Sequence, residues 1–205
     1  MRLGILVDGE AEFRSLPLIV PKLSSPHTIV GVFRADIQPK SSTGQIVHAI
    51  NKRRPILELR RADAFLILVD REDRPECAGT WASEILRGVN SANGTPACSG
   101  VVVKNRTFEN WLLGDVDAIA SMPKRFCLSD NEAKRIESGL ADNMDAQAMI
   151  KRAAVRDAYE KVADSMRILD RADPLRIGRA SRSFRKLLRE VENPHYLNQS
   201  KVRGT

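Results

Sequence analysis

The sequence predicts an α/β fold with a mostly parallel sheet flanked by helices, followed by an all-helical C-terminal extension. In the first half of the chain, short apolar runs rich in β-branched residues alternate with amphipathic stretches. Strands separated by helices are typical of parallel sheets that are covered on both faces. From about residue 128 onward strand-like runs disappear, and helical patterns alone continue.

Four apolar runs predict the strands of this sheet. They are LGILV at 3–7, TIVGVF at 28–33, AFLILV at 64–69 and ACSGVVVK at 97–104. Their nearly continuous apolar character indicates burial on both faces, as in a parallel sheet.

Amphipathic stretches between these runs predict the covering helices. The four stretches are residues 10–23, a stretch that begins at Ser42 or Thr43, residues 79–90 and residues 108–115. Pro17 and Pro21 should interrupt or end the first helix, because proline lacks the amide hydrogen that an interior helical turn needs. Ser42 and Thr43 are both suitable N-cap residues for the second.

The C-terminal part predicts helices only. Ser129 and Glu132 form a capping box, and residues 145–169 are predicted as one long helix. A short helix should restart at Asp173–Pro174, and Ser181 should cap the last one. We therefore expect an α/β domain over residues 1–127 and a helical extension over residues 128–205 that packs on it.

Charge and composition limit the function classes. The 205 residues have a formal net charge of +7, which favours anionic partners such as nucleic acid, an acidic protein or a membrane surface; simple solubility is the alternative explanation. No run approaches the roughly 20 apolar residues of a membrane helix. Three widely spaced cysteines indicate buried or half-buried free thiols rather than a disulfide framework or zinc site, so a cytoplasmic location is expected.

Acidic residues collect where predicted strands end. VDGEAEF places Asp8, Glu10 and Glu12 after the first strand. LVDREDRP places Asp70, Glu72 and Asp73 after the third, and Glu109 follows the fourth. Carboxyl ends of parallel strands meet at one edge of a sheet, where sites form.

Two interpretations of these acids stay open. Crowded carboxylates repel one another, and a bound Mg²⁺ ion, which prefers oxygen ligands, would remove that cost. Alternatively, the acids are helix caps or first-turn residues that favour the helix dipole.

The three acidic elements, in this order, resemble the TOPRIM-like family known as domain of unknown function 4276. The family pattern has V-E-G-x-x-E, an acidic D-x-D after a hydrophobic strand, and F/V-E-x-W-L-L-x-D. Tyr159, Lys161, Asp173–Pro174 and Ser181–Phe184 resemble its later features, so the likeness covers most of residues 3–190.

This resemblance implies a TOPRIM-like sheet and a site for Mg²⁺ or Mn²⁺. It implies catalytic roles for Asp8, Glu12 and Asp70, and metal ligation by Asp8, Asp70, Glu72 and Asp73, with Glu109 as a third acidic element. Two departures bear on activity. Asp8 stands where the family has glutamate, and the order D-R-E-D leaves the metal pair ambiguous between Glu72 and Asp73.

The segment RADPLRIGRASRSFRKLLR at 171–189 predicts a basic stripe, because its cations recur at helical spacing. Such a stripe can neutralise nucleic-acid phosphates, although a merely solvated helix face is the alternative. The predicted nucleic-acid-binding residues are Arg176, Arg179, Arg182, Arg185, Lys186 and Arg189.

Together these observations favour a metal-dependent nuclease or related phosphodiester-acting enzyme. The resemblance further implies a subunit of a prokaryotic anti-phage defence system with an ATPase partner, and it leaves a homo-oligomer open. The alternative hypothesis is a catalytically inactive TOPRIM-like module that binds an ATPase or nucleic acid; the Glu-to-Asp departure at position 8 favours it.

Overall fold

A computed structural model describes residues 1–38 and 40–197. In these residues four strands form a parallel sheet in the spatial order β2-β1-β3-β4. The strands are β1 (Arg2–Val7), β2 (Thr28–Arg34), β3 (Ala64–Asp70) and β4 (Ala97–Lys104). The prediction of an α/β fold with a parallel sheet flanked by helices is confirmed.

Helices cover both faces of the sheet. Those of the first part are α1 (Glu10–Ile19), α2 (Thr43–Asn51), α3 (Arg54–Leu59), α4 (Ala78–Ser91), α5 (Glu109–Leu113) and α6 (Val116–Ala120). Those that follow are α7 (Asp130–Arg135), α8 (Ala146–Ala153), α9 (Lys161–Arg171), α10 (Pro174–Ala180) and α11 (Arg182–Glu190).

Side chains alternate along each strand and so divide the core into two layers. Leu66 and Leu68 of β3 pack with α1, α5 and the C-terminal helices, whereas Phe65, Ile67 and Val69 pack against α2, α3 and α4. Helix α9 packs against α1, and α11 packs against β4, so the C-terminal helices share the first layer of the core with the sheet. The boundary between residues 127 and 128 stays a prediction.

Capping residues begin several helices where the sequence predicts them. Ser42 and Ser129 each form a capping box, with Gln45 and Glu132 respectively. Ser181 accepts a hydrogen bond from the backbone N–H of Phe184 at the start of α11. Helix α1 differs from expectation, because it continues through Pro17 to Ile19.

The prediction of one long helix over 145–169 is wrong. Helix α8 ends at Ala153, and α9 begins only at Lys161. Tertiary contacts stabilise the non-helical segment between α8 and α9. Ala154 forms an antiparallel bridge with Phe126, and the N–H of Val155 donates to the carbonyl of Arg125 at 2.9 Å. Arg156 adopts a left-handed backbone conformation with φ 75°, which ends any helical path.

Two further observations bear on the expected environment. The three cysteines are free thiols, but only Cys98 is buried; Cys77 and Cys127 are exposed. Among the described residues no helix has the length and apolar character required to cross a membrane.

Candidate functional site

The four strands end side by side at the carboxyl edge of the sheet. In spatial order, Arg34 ends β2, Asp8 follows β1, Asp70 ends β3 and Lys104 ends β4. This edge is where ligands bind in open α/β sheets. Alternating side-chain direction decides which of these residues meet. Side chains two residues apart on a strand point to the same face, so Asp70 shares the face of Leu68 and Lys104 shares the face of Val102. Leu68 and Val102 both belong to the core layer beneath α1.

The acidic and basic strand ends meet at the Lys104 ammonium. Its Nζ lies 2.8 Å from Asp8 Oδ1, 2.5 Å from Glu12 Oε1 and 3.0 Å from Asp70 Oδ1, and the side chain is fully buried. Asp8 is also tied to β3, because the backbone N–H of Asp70 donates to Asp8 Oδ2 at 2.7 Å. We call Asp8, Glu12 and Asp70 the carboxylate cluster; each of the three offers one oxygen within 4.8 Å of the others.

Gly9 allows the helical acid Glu12 to approach this edge. Glu12 lies on the buried side of the first turn of α1, with only 1% of the residue exposed. A Cβ atom at position 9 would lie 2.2 Å from Glu12 Oε2, so any side chain there would collide with the carboxylate. The V-D-G-E-A-E order therefore delivers one acid from the strand end and a second from the helix.

The electrostatics of the carboxylate cluster are unbalanced, since three carboxylates face one ammonium. Burial alone would lower the pKa of Lys104, but the charges of Asp70, Asp8 and Glu12 outweigh burial and raise that pKa well above its usual range. Burial, together with the charges of Asp8 and Glu12, raises the pKa of Asp70 well above its ordinary value despite the attraction of Lys104. Lys104 therefore stays charged, whereas burial and the neighbouring acids favour the protonated form of Asp70.

The cluster could hold a metal ion. Carboxylate oxygens are hard donors of the kind that Mg²⁺ and Mn²⁺ prefer. Glu12 Oε2 is buried and, within the described residues, has no hydrogen-bond partner. An unsatisfied buried oxygen is costly unless some other group binds it, so this atom fits a role as a ligand.

A cleft with a volume of about 260 Å³ opens above the carboxylate cluster. The cluster lies among its lining, together with Glu72 and four cationic side chains: Arg34, Lys40, Arg74 and Lys161. We call these four residues the cationic rim. An acidic cluster surrounded by cations suits a ligand that has a phosphate and reacts near it.

Local contacts hold three of the rim cations. Arg34 pairs with Glu10 at 2.9 Å. The Arg74 guanidinium lies over the Trp81 ring, 4.5 Å from its centroid, and donates to the carbonyl of Ser41. Lys161 Nζ lies 3.1 Å from Oε1 of the buried Glu109. Burial would lower the pKa of Lys161, but the charges of Glu109 and Glu12 raise it, so this cation remains protonated.

The other predicted acids lie outside the cluster. Glu10 pairs with Arg14 and Arg34, which lower its pKa through hydrogen bonds. Glu72 lines the cleft but adopts a left-handed backbone conformation with φ 53°, and Asp73 is exposed. Glu109 is buried behind Lys161. Of the residues predicted as catalytic or metal-binding, the structure thus brings together Asp8, Glu12 and Asp70.

The six predicted nucleic-acid-binding residues are divided between two helices, because Ser181 ends α10 and caps α11. Several of them have intramolecular partners: Arg176 pairs with Asp117, Arg185 donates to the carbonyls of Gly178 and Arg179, and both Lys186 and Arg189 pair with Glu190. Arg179 and Arg182 are exposed. As far as the structure describes the lining of the cleft, none of the six belongs to it. Their role in binding nucleic acid stays a prediction.

Sequence reasoning missed Lys104 as a site residue. The sequence did contain a signal for this residue. The buried run SGVVVK ends with a lysine at the same edge of the sheet where the neighbouring run AFLILVD ends with an aspartate. The two residues are register partners in the β3–β4 pair. Alternation along the strands would have placed both side chains on one face.

Three comparisons with known proteins give one family and one structural likeness. The family model described as Domain of unknown function (DUF4276) matches residues 7–192. No curated protein matches the chain. Among solved structures, the C-terminal region of the Burkholderia pseudomallei OLD protein is similar with a TM-score of 0.44 and 18% identity; the match covers 91% of this chain and 98% of that one.

Proposed function

This chain belongs to the Domain of unknown function (DUF4276) family, and we propose that it is a nuclease-type phosphodiester hydrolase that uses Mg²⁺ or Mn²⁺. The observation that supports this function best is the convergence of three carboxylates, two from the β1–α1 segment and one from the end of β3, beneath a cationic rim. Asp8 follows one strand, Asp70 ends another, and Glu12 belongs to a helix, yet their oxygens lie within 4.8 Å of one another.

The rim cations would bind the anionic backbone of the substrate. Lys161 is 46% exposed and Arg34 is 45% exposed at their side chains, so both can contact a phosphate in the cleft while they keep their carboxylate partners. Cations placed around a phosphate both neutralise it and fix its position. Substrate binding would thus depend on the cationic rim more than on the C-terminal arginines.

Asp8, Glu12 and Asp70 would hold the divalent ion, and Glu72 is close enough to the cleft to contribute from its lining. When bound, such an ion polarises a phosphoryl oxygen and lowers the pKa of a water ligand. The chain's own contribution is to orient the donors. The Asp70 N–H fixes the Asp8 carboxylate at 2.7 Å, and the absence of a side chain at Gly9 leaves room for the Glu12 carboxylate.

A cleavage assay with single-residue variants tests this function. Purified protein is incubated with plasmid, single-stranded DNA and RNA in Mg²⁺, in Mn²⁺ and in EDTA. Asp8→Asn and Asp70→Asn should each abolish the metal-dependent products, because each replaces a carboxylate ligand with an amide. Cleavage that is unchanged in both variants would exclude the carboxylate cluster as the centre of the activity.

A second candidate function is a non-cleaving module that binds nucleic acid or a partner protein. The specific observation in its favour is Lys104, whose ammonium already neutralises part of the cluster. For both candidate functions we also propose a TOPRIM-like relationship, an ATPase partner and a role in anti-phage defence. The sequence resemblance supports these three proposals. This candidate predicts binding of labelled nucleic acid, or co-purification with an ATPase, without metal-dependent cleavage.

A further inference from the structure

Lys104 occupies the middle of the carboxylate cluster. An ammonium has three N–H donors, and its Nζ has three carboxylate oxygens at 2.5–3.0 Å, one from each member of the cluster. Nζ also lies over the Phe108 ring, 5.7 Å from its centroid. The lysine is therefore a buried internal cation whose partners are the same oxygens that would bind a metal ion.

The position of Lys104 is fixed by the fold rather than by a flexible loop. It is the last residue of β4 and the register partner of Asp70. Residues Val101 to Val103 before it are buried, so the backbone cannot move away without disturbing the sheet. Only rotation of the side chain itself could withdraw the ammonium from the carboxylates.

An ammonium and a divalent ion compete for these oxygens. An ion at the Mg²⁺–oxygen distance of about 2.0–2.1 Å from an oxygen that itself lies 2.5–3.0 Å from Nζ would be within about 5 Å of that nitrogen. Two cations at such a separation in a buried site repel each other strongly. Few oxygens remain for an ion that leaves Lys104 in place, since Asp8 Oδ2 already accepts from Asp70 N–H.

We propose that Lys104 is a resident counter-ion that occupies the cation position of the carboxylate cluster, so that a divalent ion binds there only by displacing it. The unsatisfied Glu12 Oε2 is the independent sign of a ligand site, because the ammonium contacts only Oε1 of that carboxylate and an ion that replaced the ammonium could also bind Oε2. The inference concerns the same site as the proposed function. Its test is metal binding without substrate, which gives a result whether or not the protein cleaves a phosphodiester.

The variant Lys104→Met removes the charge and keeps a side chain of similar length. We expect it to bind Mn²⁺ at least about tenfold more tightly than the unsubstituted protein. The expectation follows from proton binding, because a nearby charge shifts the pKa of an ionisable group by about one to three units, and each unit is a tenfold change in affinity. Binding is measured from the loss of the electron paramagnetic resonance signal of free Mn²⁺ as protein is added. The matched comparison is Lys161→Met, which removes a cation from the same cleft that contacts Glu109 rather than these three oxygens. Because the charge of Glu12 also acts on Lys161, a gain is expected there too, but one several-fold smaller than that of Lys104→Met.

A further pair of variants locates the ion. The double variant Lys104→Met with Asp70→Asn should lose most of the gain, because one ligand is gone. The proposal would be overturned if Lys104→Met and the unsubstituted protein bound Mn²⁺ equally well, or if Lys104→Met showed no binding at millimolar Mn²⁺. It would also be overturned if Lys161→Met gave the same gain as Lys104→Met.

Lys104→Met leaves three carboxylates without their ammonium and is therefore expected to be less stable. Thermal unfolding in the presence and absence of Mn²⁺ keeps the proposal testable in that case. Mn²⁺ should raise the melting temperature of Lys104→Met by several degrees more than that of the unsubstituted protein, since ligand binding to the native state stabilises it. If Lys104→Met folds poorly, Lys104→Gln also removes the charge but keeps an amide that can donate hydrogen bonds to the carboxylates, and the same difference should persist; an equal response to Mn²⁺ in the variant and the unsubstituted protein would contradict displacement.

Discussion

Asp164, in the C-terminal helices, and Glu109, beside the cleft, are both buried carboxylates with very different surroundings. Asp164 accepts hydrogen bonds from the Arg125 and Arg167 guanidinium groups and from the backbone N–H of Glu160. Glu109 is equally buried, but within the described residues neither of its oxygens has a hydrogen bond of acceptable geometry, and its closest cation is Lys161 at 3.1 Å.

The same contrast separates the two regions as a whole. In the helical part, both carboxylate oxygens of Asp142 also accept hydrogen bonds. Oδ1 accepts from Ser181 Oγ at 2.6 Å, and Oδ2 accepts from the N–H of Ser183 at 3.0 Å. In the carboxylate cluster, Glu12 keeps a buried oxygen without a hydrogen-bond partner among the described residues. Carboxylates that stabilise a fold are satisfied by the protein itself, whereas those at the carboxyl edge retain capacity for a ligand.

The largest effect on stability should come from Asp164→Ala. This change leaves Arg125 and Arg167 without their carboxylate and the Glu160 N–H without its acceptor. We expect the free energy of unfolding to fall by about 3 to 5 kcal/mol, as for other buried ion pairs that lose one partner. Chemical denaturation measures it, and a loss below about 1 kcal/mol would remove the distinction between the two regions.

Acidic pH should reproduce part of this loss. Burial by itself would raise the pKa of Asp164, but the hydrogen bonds from Arg125, the Glu160 backbone and Arg167 outweigh burial and lower that pKa. A carboxyl whose pKa is lower in the folded state contributes stability above its unfolded pKa of about 3.9, and that contribution disappears as pH falls below about 4 through the folded pKa.

The check is thermal unfolding between neutral pH and about pH 3, with Asp164→Asn as the comparison. The difference in melting temperature between the unsubstituted protein and the variant should be constant near neutral pH and should shrink once Asp164 protonates. A difference that grows as the pH falls would mean that Asp164 is not held in its charged form by these partners.

The smallest effect is expected from Glu109→Gln. This change removes the charge of Glu109 from its ion pair with Lys161 at 3.1 Å, but the Lys161 side chain is 46% exposed and can be solvated instead, and Gln keeps the shape of the side chain. The free energy of unfolding should change by less than about 1 kcal/mol in either direction. A loss as large as that of Asp164→Ala would show that Glu109 is a structural acid like those in the helices.

Local sequence signals predict the framework of the fold well. Apolar runs mark the four strands, and the capping residues Ser42, Ser129 and Ser181 mark helix starts within one residue, because strand burial and helix capping depend on neighbours along the chain. The break between Ala153 and Lys161 was not predictable in the same way. It depends on contacts with Arg125 and Phe126, which are distant in sequence.

The site was predictable in part for the same reason. Strand-end position indicates two groups of acids, but the structure brings together only three of these residues in the carboxylate cluster, Asp8, Glu12 and Asp70. The role of Lys104 requires the register of β3 with β4 and the side-chain direction at each strand end, which together bring the ammonium to the acids. The arginines of α10 and α11 look like one stripe in the sequence, but the cap at Ser181 divides them and several pair with nearby acids.

The most direct test of the proposed function compares two acids of the LVDREDRP segment, one at the end of β3 and one in the loop that follows. Asp70 belongs to the carboxylate cluster, whereas the exposed Asp73 lies three residues later. Single-turnover cleavage of a labelled single-stranded DNA in Mn²⁺ should slow by about 100-fold or more in Asp70→Asn, the size of effect seen when one group that stabilises a transition-state charge is lost. Asp73→Asn should retain the rate of the unsubstituted protein, and equal rates in both variants, or slowing in Asp73→Asn alone, would contradict the assignment of the catalytic centre to the carboxylate cluster.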